Sequence, residues 1–403
     1  MTARMQDLLQ QAIRQAGGLL PFPQFMQQVL YHPECGYYMT RRSRLGRDGD
    51  FVTAPEMTSL FGEMLTLQCV EIWQRLGQPT RFQVVEAGAG SGRLAADICQ
   101  TARRFAHFYQ ALSYTILEIS PDFQATQRQT LAAAGVDPAR VCWVADLAAF
   151  EEESLEGVLL SNEFLDAFPV HWLEMTPEGL RERGVAWGEE GLTTALMPVT
   201  LPLVADCFVR AGVVLPVGMR TEVGLAAAEW MAAAAARLRR GVILTIDYGY
   251  TQQEYYSSAL PEGTLTGFYR HQQLADPLLH PGEMDLTAHV NFTAVARAGV
   301  EAGLTTLGYT TQAWFLMGLG LLQRLEQLSR SQGEAALAPL RQTVLRLIMP
   351  QGMGDRFKVL VQGKGLDAEP ALAGFSLHNA VQRLEGCSPP GTNHEYQKGD
   401  IDR

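Results

Sequence analysis

The sequence predicts an α/β fold in which helices cover both faces of a mostly parallel sheet. From Arg81 onward, short apolar runs typical of strands alternate with helical segments, and this alternation usually produces a parallel sheet. The first run, residues 82–85, leads into a glycine-rich turn and then into a helix that opens near Leu94. Strand, glycine turn and helix in that order are typical of a site where the backbone approaches a nucleotide-like ligand.

Five predicted strands carry an acidic or amide side chain at their ends. The strands are residues 82–87, 114–119, 141–144, 157–161 and 241–246, and the polar residues are Glu86, Glu118, Asp146, Asn162 with Glu163, and Asp247. Ligands of open α/β sheets bind beyond the carboxyl ends of the strands, so we expect these side chains to meet at one site. Two further strands, at about 305–311 and 357–362, are expected to complete the sheet.

The chain is predicted to have three parts. Residues 1–80 form a helical N-terminal region with helices at about 5–16, 22–31 and 57–76. The loop at 50–56 in this region is either an active-site arm or a surface arm that only packs on the core. Residues 81–385 form the α/β domain, which carries a small antiparallel cap inserted at about 170–223 and then a helix at 225–240. Residues 386–403 are predicted to be a disordered tail.

Composition excludes several classes of protein. The net charge of −11 argues against a nucleic-acid partner, because phosphate binding needs a basic face. The six cysteines are scattered and form no C-x-x-C pair, so we expect reduced thiols and no metal site. No apolar run is long enough to insert into a membrane, and the N-terminus lacks a secretory pattern. These features predict a cytoplasmic, bacterial protein.

The glycine turn indicates the cofactor. Glu86 precedes Gly88, Gly90 and Gly92, which have the spacing G-x-G-x-G and not the G-x-G-x-x-G that brings a pyrophosphate onto a helix end. This disfavours a nicotinamide-dependent oxidoreductase. A carboxylate at the strand end would repel a diphosphate but suits a ligand with an ammonium group. S-adenosyl-L-methionine (SAM), with an amino group, a sulfonium and no phosphate, fits these requirements.

Glu118, at the end of the second strand, is predicted to accept both ribose hydroxyls of the adenosyl group, although it could be an ordinary strand-end acid. Asp146 is the weaker candidate for the adenine amino group. Asn162 and Glu163, at the end of the fourth strand, are placed where a methyl donor would meet its acceptor.

Carboxylates near that point favour a guanidinium as the methyl acceptor. Methyl transfer requires donor and nucleophile to be held close together and aligned. A guanidinium is protonated and delocalised, and carboxylates can bind its fork and localise the lone pair on one nitrogen. Glu163, Asp166, Asp247 and Glu56 form the pool of acids for this task. For Asp166, an alternative is a helix N-cap before Ala167 and Phe168.

Eight segments in order along the chain carry a family resemblance, at residues 32–38, 49–56, 86–94, 118–121, 162–170, 247–250, 285–292 and 352–358. Together they resemble the MidA-like class I SAM-dependent methyltransferases, a family that includes a mitochondrial protein arginine methyltransferase needed to assemble respiratory NADH dehydrogenase. The most specific segments are Thr-Ala-Pro-Glu at 53–56 and Asn-Glu-Phe-Leu-Asp at 162–166. Two positions depart from the family pattern: Leu165 stands where the family usually has Phe, and Phe168 where it usually has Leu. Both changes replace one apolar side chain with another.

The resemblance implies the Rossmann-like, seven-stranded class I methyltransferase sheet, SAM as cofactor and a protein arginine as acceptor. A subunit of a respiratory complex is then a candidate substrate. The predicted catalytic residues are Glu163, Asn162, Asp166 and Glu56, and the predicted cofactor-binding residues are Glu86, Gly88, Gly90, Gly92, Glu118, Asp146 and Asn162. The alternative function is a non-catalytic SAM-binding assembly factor. The insertion could serve as the surface of a homodimer or as a substrate clamp.

Overall fold

Helices dominate the N-terminal region, as expected. The computed structural model describes residues 2–40, 53–334 and 336–384. The predicted arm up to Val52 and the predicted tail from 386 lie outside the described residues. The N-terminal elements are α1 (Ala3–Gln15), β1 (Leu20–Pro21), α2 (Phe22–Tyr31), α3 (Ala54–Met57) and α4 (Ser59–Arg75).

The helix predicted at 57–76 is α4, which begins at Ser59 because Thr58 has extended backbone (φ −164°, ψ 142°) and separates it from α3. The Thr58 side chain accepts the N–H of Leu60 and thereby caps α4, which satisfies a donor that the helix cannot bond internally.

The first half of the α/β domain follows the predicted alternation closely. Its elements are β2 (Phe82–Ala87), α5 (Arg93–Ala102), α6 (Ala106–Ala111), β3 (Leu112–Leu117), α7 (Pro121–Ala133), β4 (Val141–Val144) and β5 (Leu155–Asn162). The second strand ends earlier than predicted, so Glu118 lies just beyond it. Ser120 caps α7 by accepting the N–H of Phe123, with Pro121 in the first turn.

The segment after β5 forms a separate antiparallel sheet. Its elements are β6 (His171–Thr176), β7 (Gly179–Gly188), β8 (Gly191–Met197), α8 (Pro202–Ala211) and β9 (Arg220–Val223). The short β1 also pairs with β7, so the N-terminal region extends this sheet. The prediction of strand-like structure at 199–204 was wrong. Pro202 opens a helix there, and Val204 and Phe208 are buried four residues apart on one helical face.

The remaining elements return to the main sheet. They are α9 (Leu225–Arg237), β10 (Leu238–Tyr250), α10 (Gln252–Tyr255), β11 (Thr266–Tyr269), β12 (Gln272–Leu274), β13 (Asp285–Thr287), β14 (Val290–Asn291), α11 (Phe292–Glu301), β15 (Thr305–Thr311), α12 (Gln312–Gly318), α13 (Leu321–Gln332), α14 (Ala338–Ile348) and β16 (Phe357–Lys364).

Two predictions in this part were wrong at their boundaries. The helix predicted to run to Arg240 ends at Arg237, because Arg239 and Arg240 belong to β10 and both pair with Glu156 on β5. The fifth strand is also longer than predicted, so Asp247 lies within β10 and not beyond its end.

The main sheet has the order β15-β16-β10-β5-β2-β3-β4, with β14 pairing at the end of β10. Neighbours from β10 to β4 are parallel, and β16 is antiparallel to both β10 and β15. The order reverses between β5 and β2, which creates the crevice where open α/β sheets bind ligands. Helices pack on both faces, with α4 and α5 on one and α9 and α11 on the other. The expected seven-stranded doubly wound sheet is therefore confirmed.

Within the described ranges, no helix is long and apolar enough to cross a membrane. The cysteines at 35, 69, 99, 142 and 207 are free thiols, and Cys387 lies outside the described residues. The described residues contain no cluster of three or more His, Cys, Asp or Glu side chains suited to a metal ion.

The close approach of β2, β5 and β10 at the centre of the sheet requires glycine at positions 157 and 241. Gly157 on β5 lies between Gln83 on β2 and Gly241 on β10. Its φ is +148°, and a Cβ added to it would lie 2.0 Å from the Gln83 carbonyl oxygen. We expect Gly157→Ala to lower the free energy of unfolding by about 3 kcal/mol, through steric overlap and backbone strain.

Urea denaturation would measure this loss. Gly191→Ala is the matched control, because Gly191 also has a positive φ (+118°) but an added Cβ there meets nothing within 4 Å. The control should lose only about 1 kcal/mol, from strain alone. Equal losses in the two variants would show that the close approach of the strands is unimportant.

Candidate functional site

The glycine turn after β2 has a backbone that side chains would disrupt. Gly88, Gly90 and Gly92 have φ values of 70°, 50° and 81°. A Cβ added to Gly88 would lie 2.6 Å from the Phe164 ring, and one added to Gly92 would lie 3.0 Å from Cα of Gln127. Glycine is therefore required both by the left-handed backbone and by the close packing of the turn.

A cavity of about 760 Å³ runs along the carboxyl ends of the parallel strands. Strand order places Asp146 after β4, Glu118 after β3, the glycine turn after β2 and Glu163 after β5 along one edge. Three strand spacings separate β4 from β5, about 14 Å at roughly 4.8 Å each. The site residues predicted from sequence that line the cavity are Glu56, Glu86, Gly88, Gly90, Glu118, Asp146, Asn162, Glu163 and Asp166. The structure places Gly92 and Asp247 outside this lining.

Glu86 is a buried acid beside the glycine turn. Its side chain accepts a hydrogen bond from the Tyr114 hydroxyl at 2.7 Å. Burial raises the pKa of Glu86 to about 7, and the bond from Tyr114 opposes that shift. A cationic group placed beside Glu86 would favour its ionised form.

Glu118 is linked to the glycine turn through Gln127, a residue that the sequence analysis missed. Glu118 accepts the N–H of Ser120 at 2.8 Å on Oε1 and the Gln127 side-chain amide at 3.0 Å on Oε2. The same amide donates to the carbonyl of Gly90 at 3.0 Å. Trp143 donates to Oε1 of Gln127 at 2.9 Å and fixes the amide's orientation. Burial raises the pKa of Glu118.

Asp146 has a local role besides lining the cavity. Its carboxylate accepts the N–H of Ala148 at 2.7 Å and caps a short 3₁₀ turn at 147–149. This capping bond explains the position of Asp146 without a ligand, and its assignment to the adenine amino group stays a prediction.

Glu163 has a strained backbone and a buried side chain. Its φ is +51°, a left-handed conformation that costs free energy for a residue with a Cβ and that is often found at functional sites. Oε1 accepts the Asn162 side-chain amide at 3.0 Å, while Oδ1 of Asn162 is buried without a partner in the described residues. Burial and the charge of Asp166 raise the pKa of Glu163 to about 8. Glu163 can therefore exchange a proton near neutral pH.

Asp166 lies beside Glu163 and is also buried. It accepts a hydrogen bond from the Tyr248 hydroxyl on Oδ2, and Oδ1 is buried without a partner in the described part of the chain. Burial raises its pKa to about 6. The alternative that Asp166 is a helix N-cap was wrong, because it is the central residue of the 3₁₀ turn at 165–167 and Phe164 precedes that turn.

The Asp247 carboxylate bonds the backbone of the turn at 164–166. Its Oδ2 accepts the backbone N–H groups of Phe164, Leu165 and Asp166 at 3.2, 3.0 and 3.3 Å. Its Oδ1 accepts the N–H of Tyr248 at 2.9 Å. The expectation that Asp247 belongs to the acids facing an acceptor is therefore corrected. It lies inside β10, and its hydrogen bonds hold the turn that carries Glu163 and Asp166.

Glu56 lies at the glycine turn, where it accepts a hydrogen bond from the Ser91 hydroxyl. Among the described residues, no hydrogen bond joins it to Glu163 or Asp166. Glu56 lines the same cavity as Glu163 and Asp166, and its hydrogen bond ties it to the glycine turn.

An aromatic and acidic wall that no sequence pattern predicted lies beside Glu163. Tyr31 donates to the carbonyl of Ala167 at 2.9 Å, and Tyr38 donates to Oδ1 of Asp285 at 2.6 Å. We call Tyr31, Tyr38, Glu163, Asp166 and Asp285 the acidic end of the cavity. The tyrosine-rich loop at 32–38 was the available indication, but nothing in the sequence joined it to Asp285.

Aromatic side chains also line the cavity next to the glycine turn. Phe164 packs against Trp230 with ring centroids 5.3 Å apart, and against Phe168 at 5.0 Å. All three belong to the lining, so the wall between the glycine turn and α9 is apolar.

Three features together are typical of the SAM-dependent methyltransferases. They are the glycine turn after β2, the acid after β3 and the antiparallel strand β16 between β15 and β10. A family model described as "Putative S-adenosyl-L-methionine-dependent methyltransferase" matches residues 64–310. The chain belongs to this family.

Relatives over nearly the whole chain agree with this assignment. The mouse mitochondrial protein arginine methyltransferase NDUFAF7 is 32% identical over 84% of this chain and 80% of its own length. Its Xenopus tropicalis counterpart is 30% identical over 89% of this chain and 86% of its own.

A solved structure from Burkholderia thailandensis, titled a "likely methyl transferase" bound to S-adenosyl-homocysteine, superposes with a TM-score of 0.86. It is 36% identical and covers 93% of this chain and 95% of its own. The protein is therefore a methyltransferase with SAM as its cofactor.

We expect the free energy of unfolding of the ligand-free protein to fall as pH rises from about 5 to 8.5. The raised pKa values of Glu86, Glu163 and Asp166, about 7, 8 and 6, mean that the folded protein binds more protons than the unfolded chain in this range. The stability is fully present below the unfolded pKa values and is lost as each group ionises. One pKa unit corresponds to about 1.4 kcal/mol, so the shift of Glu163 from 4.5 to about 8 would by itself give a loss of a few kcal/mol.

Urea denaturation at a series of pH values would measure this trend. Glu163→Gln should flatten the curve between about pH 7 and 8, and the exposed Glu326→Gln should not. An unchanged slope in Glu163→Gln would contradict the raised pKa of that carboxyl.

Proposed function

We propose that this protein transfers a methyl group from SAM to an arginine side chain of a protein substrate. The observation that carries the proposal is the pair of buried acids, Glu163 and Asp166, at one end of the cavity. Within the described ranges, neither acid forms an ion pair with a Lys or Arg side chain. Buried carboxylates without a cation are costly, and a guanidinium would provide the missing positive charge. The curated relatives are named as protein arginine methyltransferases, which supports this choice.

The other part of the cavity fits SAM. Gly88 and Gly90 bring the backbone of the turn to the cavity wall, and Glu86 offers a carboxylate to an ammonium group. We assign the methionine part to Glu86, Gly88 and Gly90, the ribose to Glu118 and the adenine amino group to Asp146. Gly92, which lies outside the lining, supports the turn at the start of α5. The buried Oδ1 of Asn162, which has no hydrogen-bond partner among the described residues, lies next along the sheet edge and is assigned to the cofactor's reactive end.

The acids perform two tasks in the proposed reaction. Bound SAM supplies an electrophilic methyl group on a sulfonium. Glu163 and Asp166 accept N–H groups of the guanidinium fork, which fixes its plane and directs one nitrogen towards the cofactor. As the nitrogen–carbon bond forms and the sulfur–carbon bond breaks, the nitrogen loses a proton. Glu163 accepts that proton, and its raised pKa suits it to this task near neutral pH.

Asp247 and Glu56 take supporting roles in this proposal. Asp247 positions the turn at 164–166, and Glu56 orients Ser91 of the glycine turn.

Several finer expectations extend the proposal. The division into an N-terminal region at 1–80 and a methyltransferase domain at 81–385 follows from the sequence pattern. The family resemblance favours a respiratory-complex subunit as substrate. The cytoplasmic location follows from the sequence composition, and the inserted sheet is a candidate surface for a homodimer.

We expect Glu118→Gln to weaken binding of S-adenosyl-homocysteine about tenfold. The amide keeps the N–H bond from Ser120, loses the bond from the Gln127 amide and no longer offers a charged acceptor to the ribose hydroxyls. Isothermal titration calorimetry would measure the affinity, with the distant Glu326→Gln as control. Unchanged affinity in a folded Glu118→Gln protein would remove Glu118 from the cofactor site.

We expect Glu163→Gln to reduce methyl transfer at least a hundredfold while the affinity for S-adenosyl-homocysteine changes little. The amide cannot accept the proton and carries no charge to bind a guanidinium. Transfer of labelled methyl groups from SAM to proteins of a cell lysate measures the activity, and digestion to amino acids identifies methylarginine. Glu326→Gln serves as the control.

Label on lysine alone would exclude arginine as the acceptor. Equal labelling by Glu163→Gln and the unaltered protein would exclude Glu163 as the proton acceptor. A protein that binds SAM but labels nothing would favour the non-catalytic assembly factor.

A further inference from the structure

Gln127 lies on α7, directly behind the glycine turn. Its side chain is fully buried and lies outside the cavity lining. Its amide nitrogen donates to the carbonyl of Gly90 and to Oε2 of Glu118, each at 3.0 Å. These two acceptors follow different strands of the main sheet, β2 and β3. One amide group therefore joins the glycine turn to the acid that is assigned to the ribose.

The orientation of this amide is fixed by its three hydrogen bonds. A primary amide has two N–H donors, so one is available for each of the two acceptors. The amide oxygen accepts the indole N–H of Trp143 at 2.9 Å. A reversed amide would place its oxygen against two other oxygens, so the three partners permit one orientation only. Breaking any of these bonds would leave a buried polar group unpaired, and the amide therefore resists displacement.

Close packing at Gly92 provides a second contact between α7 and the glycine turn. A Cβ added to Gly92 would lie 3.0 Å from Cα of Gln127 and 3.2 Å from its Cβ. The backbone of the turn therefore touches the base of the Gln127 side chain, while the amide at the other end of that side chain bonds Gly90. Because the turn is held at two points, a shift of α7 would move the turn and Glu118 together.

We infer that Gln127 is a positioning residue that fixes the separation between Glu118 and the glycine turn, so that the two parts of the cofactor site bind SAM as one unit. This inference rests on the proposed assignment of the ribose to Glu118 and of the methionine part to the glycine turn. A ligand that spans both parts gains affinity when their separation is already fixed, because less order has to be imposed on binding. A ligand that contacts one part alone gains little from that separation.

The test compares a ligand that spans both parts with one that contacts the ribose part alone. The probes are S-adenosyl-homocysteine and 5′-methylthioadenosine, which keeps the adenosyl group and the sulfur but lacks the amino-acid part. Each is titrated into the full chain by isothermal calorimetry. Gln127→Met keeps a side chain of similar length and removes the three amide hydrogen bonds. It should weaken binding of S-adenosyl-homocysteine about tenfold and of methylthioadenosine about threefold at most, so the ratio of the two affinities should fall.

Two further variants make the result specific. Trp143→Phe removes the indole N–H but keeps both donors of Gln127, so it should weaken binding of S-adenosyl-homocysteine about threefold and leave methylthioadenosine binding unchanged. Gln124→Met is the matched control. Gln124 lies on the same helix and donates to the backbone carbonyl of Glu118 at 2.9 Å, and among the described residues it forms no hydrogen bond with the glycine turn. This variant should bind both probes as the unaltered protein does.

The outcomes separate this inference from the proposed function. Unchanged affinities in Gln127→Met, or equal losses for the two probes, would overturn the role of Gln127 and leave the cofactor assignment standing. If Gln127→Met does not fold, Trp143→Phe decides by the same ratio. The assignment itself is tested by Glu118→Gln, which should weaken binding of both probes. If Glu118→Gln binds methylthioadenosine as the unaltered protein does, the ribose assignment is wrong, and this inference fails with it.

Discussion

The acidic end of the cavity depends on the Asp247 carboxylate. Four backbone N–H groups converge on its two oxygens, three of them from consecutive residues of the turn after β5. That turn holds Glu163 in a left-handed backbone conformation and places Asp166 against the Tyr248 hydroxyl. Burial and the neighbouring acids raise the pKa of Asp247, and the N–H bonds oppose that rise. Asp247 is buried within β10, which pairs with β16 and β5 over most of its length. The turn that carries Glu163 and Asp166 is therefore held by a rigid strand.

Charge balance connects the two halves of the cavity. Glu86, Glu163 and Asp166 are buried acids whose ionised forms are destabilised by loss of water. SAM and a guanidinium are both cations, and each would reach a different part of this acidic surface. Binding of either ligand therefore favours release of protons from the protein. After transfer, the sulfur product is neutral, so the cavity loses part of its attraction for the spent cofactor.

Local patterns in the sequence predicted the main sheet and the cofactor turn, because short apolar runs and glycines act within a few residues. The acidic end was predicted only in part. Asp285 meets Tyr38 across 247 positions of the chain, and Tyr31 meets Ala167 across 136, so no local pattern could join them. Asp247 was misassigned because β10 continues to Tyr250, beyond the predicted end. The Asp247 carboxylate instead bonds the backbone of the turn at 164–166.

The backbone of Glu163 has a consequence for engineering. A φ of +51° costs about 1–3 kcal/mol for a residue with a Cβ, and glycine would adopt it with little strain. Replacement by glycine would also remove a buried ionisable group. Selection of variants for thermal stability alone would therefore tend to drive this position away from glutamate. Under the proposed mechanism, heat resistance and turnover place opposite demands on position 163, which should then be held fixed in any programme to stabilise this enzyme.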